Sequence, residues 1–115
     1  MDPLNDLDVM EVHDLATGCE ILMYEELGLC RPGDGGNLID EGVTEKEGLL
    51  PVNPSGGRVA AGHVAGVSGI YSAATVVRQL REEAGTMQVP IRSGRGLVES
   101  KDGLSGLIGI SVLER

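Results

Sequence analysis

Two histidines and two cysteines are the residues of this 115-residue chain best suited to proton transfer or nucleophilic attack. His63 lies in AGHVAG, within the longer stretch NPSGGRVAAGHVAG from Asn53 to Gly66. A histidine on a glycine turn ahead of a helix meets free backbone N–H groups, and a helix N-terminus favours developing negative charge. The same histidine can fill the turn by bonding its backbone, and spacing leaves both readings open. His13 follows a strand-like stretch and is paired with Asp14 in EVHD. Ligands bind at strand ends in α/β folds, so His13–Asp14 is a candidate polar pair, or an ordinary helix-start dipeptide. Cys19 falls in the first turn of an expected helix, where the dipole lowers a thiol pKa; a buried, inert cysteine fits as well. GDGG at 33–36 and SGRG at 93–96 match neither phosphate-loop pattern and are read as turns. Tyr24 and Tyr71 are read as packing residues.

The elements that must position these residues follow from pattern. LDVMEVH at 7–13 alternates roughly and predicts a short strand. Thr17 and Glu20 form T-x-x-E, a capping box that predicts a helix over 17–27 with Gly28 as its terminator. Residues 29–52 read as one long, turn-rich connection. Ser68 then predicts the cap of a helix to Ala84, ended by Gly85, with Ile70, Ala73, Ala74, Val77, Leu80 and Ala84 on one face. MQVPI at 87–91 is a weak edge strand because of its proline. A short strand is expected at 96–99, and GLIGISVLE at 106–114 predicts a buried one. The order implies an α/β layer over a single domain, 1–115.

Composition narrows the partners. The formal charge is −9, which argues against nucleic acid and anionic membranes. There is no Trp or Phe, so base-stacking platforms are excluded and the core must be aliphatic. Cys19 and Cys30 lack CxxC spacing and a nearby histidine cluster, so no metal site is expected. The acidic start MDPLNDLD has no apolar signal run, and no segment is long enough to span a bilayer. A cytoplasmic protein with reduced thiols is expected. The 18 glycines are clustered, and their loops have nothing evident in the chain to embrace, so the chain reads as half of a site.

VMEVHDLATGCEILMYEELGL, PVNPSGGRVAAGH and GVSGIYSAATVVRQLREEAGTMQVP, taken in this order, resemble the carboxy-terminal half of sterol-carrier-protein-type thiolases. That group is also called lipid-transfer-protein or acetyl-CoA acetyltransferase-like. The resemblance implies the second of two similar α/β domains, each with a mixed five-stranded sheet and packed helices, incomplete without its amino-terminal half. It implies acyl-CoA cleavage or condensation through a cysteine thioester, with coenzyme A thioester as substrate and no further cofactor. The nucleophilic cysteine would come from the amino-terminal half, either a separate chain or a missing segment. His63 matches the histidine of a G-H-P motif that activates that cysteine, with Val64 in place of proline. His13 matches the histidine of an H-D-C-F motif, with Leu15 and Ala16 in place of the cysteine and phenylalanine. Asn53, Gly56, Gly57 and Gly62 would let the loop close over the thioester. The region VESKDGLSG, where the family carries a His-Asn or Cys-x-Gly motif, shows no evident catalytic side chain. The expectation is a catalytic pair, His63 and His13, inactive alone, with exposed apolar surface for the amino-terminal half or a homo-oligomer. Thiolase-like aldolases that lack the motif cysteine suggest an alternative, with a small zinc-ribbon/OB-fold partner protein. A degenerate, non-catalytic binding module is the other.

Overall fold

The computed structural model describes residues 1–101 and 107–115. Its elements are α1 (Pro3–Asp6), β1 (Val9–Glu11), α2 (Thr17–Glu26), α3 (Gly35–Asp40), α4 (Gly57–Ala61), α5 (Ser68–Leu80), a 3-10 turn (Gly85–Met87), β2 (Arg95–Lys101) and β3 (Ile108–Glu114). β1 pairs in parallel with β2, and β2 in antiparallel with β3, so the sheet order is β1-β2-β3. Val52 adds an isolated parallel bridge to Met10. The resemblance implied five strands; the described residues form three named strands and this bridge.

The sheet has an apolar layer on each face, as strand alternation dictates. Met10, Val12 and Leu97 point to one side and pack with Met23, Tyr24 and Leu38 of α2 and α3. Val9 and Val98 point to the other side and pack with Val76 and Leu80 of α5. Gly96 lets α5 approach: a Cβ there would meet the Val76 and Val9 side chains.

Helix α2 starts where expected but without the capping box. Thr17 is its first helical residue, Ala16 occupies the cap position, and no side chain bonds the cap. Glu20 is diverted, accepting from Tyr24 and from Asn53 Nδ2 (2.9 Å). The end of α2 matches expectation. Gly28 takes φ +78°, its N–H bonds the Glu25 carbonyl (3.1 Å), and Leu29 N–H bonds the Tyr24 carbonyl (2.8 Å). That bond pair closes the helix and folds Leu29 onto the core. The long connection after it contains α3, whose first N–H, Gly35, is met by Glu25 Oε1 (3.1 Å).

Helix α5 departs from the pattern in three ways. Ser68 lies inside it rather than capping it. It ends at Leu80 rather than near Ala84, because Glu82 turns left-handed (φ +60°) and its N–H bonds the Gln79 carbonyl (2.9 Å). Its buried face is Ser68, Ser72, Thr75, Val76, Gln79 and Leu80. Ile70 and Val77 of the expected stripe are 71% and 40% exposed. The buried Gln79 also explains why 87–91 forms no strand. Its Nε2 donates to the Met87 carbonyl (2.7 Å) and its Oε1 accepts from Val89 N–H (2.9 Å), taking the groups a ladder would use. The last strand forms as β3, but it is not buried. Ile108, Ile110 and Val112 are 49%, 54% and 43% exposed. Residues 102–106, at the end of the VESKDGLSG stretch, lie outside the described residues.

SGRG is a turn, and its anion is internal: Asp8 accepts from Ser93 N–H (2.9 Å) and Gly94 N–H (2.7 Å).

Candidate active site

β1 ends at Glu11 and is followed by the buried Val12, His13 and Asp14. Three contacts fix this segment. Val12 N–H donates to Asn53 Oδ1 (2.8 Å), His13 N–H donates to Glu99 Oε2 (2.7 Å), and Asp14 Oδ1 accepts from Arg58 N–H at the start of α4. Asn53 returns the backbone contact, its N–H bonding the Met10 carbonyl (2.8 Å). Its side chain is thereby committed to Val12 and Glu20, so it fastens the glycine turn to β1.

Gly56 and Gly62 flank α4 as its two caps. Gly57 sits at φ +65°, and a Cβ there would run into the Asp14 carboxylate. Replacing Gly57 with alanine is therefore expected to cost more than about 2 kcal/mol, the sum of left-handed strain and displacement of a buried carboxylate. Urea unfolding would read it; an unchanged midpoint would mean that the turn relaxes freely.

His63 follows Gly62 directly. Its ring centroid lies 4.9 Å from that of His13, with the planes at 88°. The edge-to-face pair joins residues fifty positions apart. His13 Nε2 and His63 Nδ1 are both buried and, among the described residues, without a partner. Burial first, then the neighbouring His63, Lys101 and Arg58, push the His13 pKa down, with Asp14 opposing. His13 is thus held as a neutral imidazole, able to accept or donate one hydrogen bond. His63 and Lys101 open onto a cleft of about 500 Å³, walled by Val64, Ser68, Ile70 and Leu107. Val64, where the resemblance leads one to expect proline, has a use: its N–H donates to Ser68 Oγ (2.8 Å), a bond proline cannot make.

Three buried charged residues and the partly buried Lys101 were not singled out from sequence. Glu11, fully buried, accepts from Ser55 Oγ (2.8 Å) and Ser55 N–H (3.3 Å), and burial pushes its pKa up to about 7. Burial likewise raises Glu99, whose Oε1 has no hydrogen-bond partner. Arg58 is 5% exposed and lies 4.6 Å over the Tyr71 ring, so that tyrosine is a half-open platform rather than core. Lys101 Nζ is 4.0 Å from Glu99 Oε1. Glu99 and Lys101, two positions apart on β2, share one face of the sheet.

Cys19 and Cys30 are free and half-buried, and neither lines the cleft. Burial, with Glu25 and Asp34, pushes the Cys30 thiol up, which makes it a poor nucleophile. Tyr24 is core, as expected. Among the described residues, no group of three or more His, Cys, Asp or Glu could hold a metal ion, and no helix is long and apolar enough to cross a membrane.

Comparison with known proteins decides the family. The model of the thiolase C-terminal domain-like family matches residues 3–115. The chain belongs to that family. It is 42% identical over 110 residues to an acetyl-CoA acetyltransferase of Methanothermobacter thermautotrophicus, covering 96% of the chain and 28% of that protein. It is 46% identical over 86 residues to human sterol carrier protein 2, covering 75% of the chain and 16% of that protein. Among solved structures it is similar to the Ltp2-ChsH2(DUF35) aldolase, with a TM-score of 0.79 and 26% identity, covering 99% of the chain and 28% of that chain. The chain thus spans less than a third of these relatives.

Proposed function

We propose that this thiolase C-terminal domain supplies the histidine side of an acyl-CoA thioester site, and that an amino-terminal thiolase half brings the nucleophilic cysteine. The observation that carries this reading is the His13–His63 pair, two unpaired imidazoles in contact beside an open cleft. In this role His63, at the cleft, takes the proton of the incoming thiol, because a neutral imidazole works near neutral pH. His13, held neutral and anchored by Glu99, orients the His63 ring and offers a hydrogen bond to the thioester oxygen. Two further facts support the reading. The acetyl-CoA acetyltransferase relative matches across nearly the whole chain. The exposed Ile108, Ile110 and Val112 leave an apolar face on β3 of the kind a second domain covers.

A second reading has its own observation. The similar solved structure is an aldolase, so the same histidines could serve carbon–carbon cleavage of a β-hydroxyacyl-CoA. A zinc-ribbon/OB-fold partner belongs to that reading.

One experiment separates them. The chain is mixed with an amino-terminal thiolase half, and acyl-CoA turnover is followed with and without free CoA. Turnover that requires free CoA is expected. Cleavage of a β-hydroxyacyl-CoA without CoA would select the aldolase reading. Silence with both substrate classes would leave a binding module.

A further inference from the structure

Among the described residues, only two titratable side chains line the cleft: His63 and Lys101. Lys101 ends β2, with its side chain 20% exposed. Its carboxylate neighbour is fixed: Glu99 is fully buried and accepts from His13 N–H at 2.7 Å. At 4.0 Å the Lys101–Glu99 pair attracts electrostatically but is too long for a hydrogen bond. The ammonium is therefore placed in the same cleft as His63, and among the described residues its N–H groups make no hydrogen bond. Neither thiol of the chain lines that cleft, and the hydroxyls of Ser68 and Ser100, which do, are too weakly acidic to trade protons near neutral pH.

Bond making or breaking at the carbon beside a thioester carbonyl leaves an electron pair on that carbon, and some group must deliver its proton. We infer that Lys101 is this proton donor, an acid lying beside His63 in the same cleft; the inference rests on the acyl-CoA reading above. When the carbon–carbon bond breaks, its electron pair stays on the α-carbon as the enolate. One N–H bond of the Lys101 ammonium then breaks, a C–H bond forms, and a neutral amine remains. The amine regains its proton from solvent, to which the side chain stays partly open. In the reverse direction the amine takes the α-proton. Glu99 is the positioning residue, since it holds the ammonium in place and favours its charged form between turnovers.

The test is deuterium exchange at the α-carbon of acetyl-CoA in D2O, catalysed by the chain with its amino-terminal half. Lys101→Met is expected to slow exchange by about a hundredfold or more. Lys101→Arg should not restore it, because arginine keeps the charge but does not release a proton. Acylation of the partner's cysteine, followed by mass spectrometry, should stay within about threefold of wild type in both variants. Exchange at the wild-type rate in Lys101→Met, with acylation intact, overturns the proposal alone. A wild-type complex that neither acylates nor exchanges overturns the acyl-CoA reading with it. A second arm uses the chain by itself. NMR titration of His13 should show its midpoint rise in Lys101→Met, because the ammonium opposes imidazole protonation. An unmoved midpoint would remove Lys101 from the site.

Discussion

Replacing His63 with alanine is expected to cut acyl-CoA turnover of the assembled complex by about a thousandfold, near 4 kcal/mol of transition-state stabilisation. The residue is half-buried, follows the Gly62 cap, and has no hydrogen-bond partner at Nδ1. Its loss therefore removes no structural bond of that atom, and the thermal midpoint should hold within a few degrees. The effect should fall on kcat more than on KM, because a proton-transfer group acts in the transition state rather than in ground-state binding. The paired His13 gives an internal check. Without His63 beside it, His13 should titrate at higher pH. Turnover unchanged in His63→Ala, at unchanged stability, would leave a non-catalytic assembly module as the surviving interpretation.

The second large effect concerns stability. Glu11 is fully buried beside Asp14, and its folded pKa stands near 7 against an ordinary value of 4.5. Between those two values the native state holds a proton that the unfolded chain has released. Raising the pH through this window therefore favours unfolding. The span corresponds to about 3 kcal/mol, lost between roughly pH 4.5 and 7. Glu99, also raised by burial, acts in the same direction. Urea midpoints should accordingly be lower at pH 8 than at pH 5. Glu11→Gln should flatten most of that slope, because an amide in its place still meets Ser55 on both sides and carries no charge. A variant that keeps the full slope would locate the pH dependence elsewhere.

Much of the architecture was legible in local pattern. Alternation marked β1, and a glycine at the right place ended α2. His63 was flagged by its setting in AGHVAG, and Val64 only by the resemblance, which places a proline there. What stayed hidden depended on contacts across the chain. Glu20 reads as a capping residue until Asn53 and Tyr24, brought in by tertiary structure, claim its carboxylate. The apolar stripe on α5 reads as core. The helix instead turns Ser72 and Gln79 inward, where a side-chain amide supplies the bonds that residues 87–89 would otherwise seek in a strand. β3 is apolar in composition yet exposed, because hydrophobicity does not say which chain covers it. The site followed the same rule. Both histidines could be picked out one at a time, but their contact could not. Glu99 and Lys101 came into view only with the parallel pairing of β1 and β2.

β3 has one more consequence. Among the described residues it pairs only with β2, so its outer rim presents the amide and carbonyl groups of every second residue of Ile108–Glu114 beside an apolar surface. Such a rim accepts any strand of suitable register, including another copy of itself. Timing during synthesis then becomes important. While no other strand covers them, identical rims can zip together into fibrils.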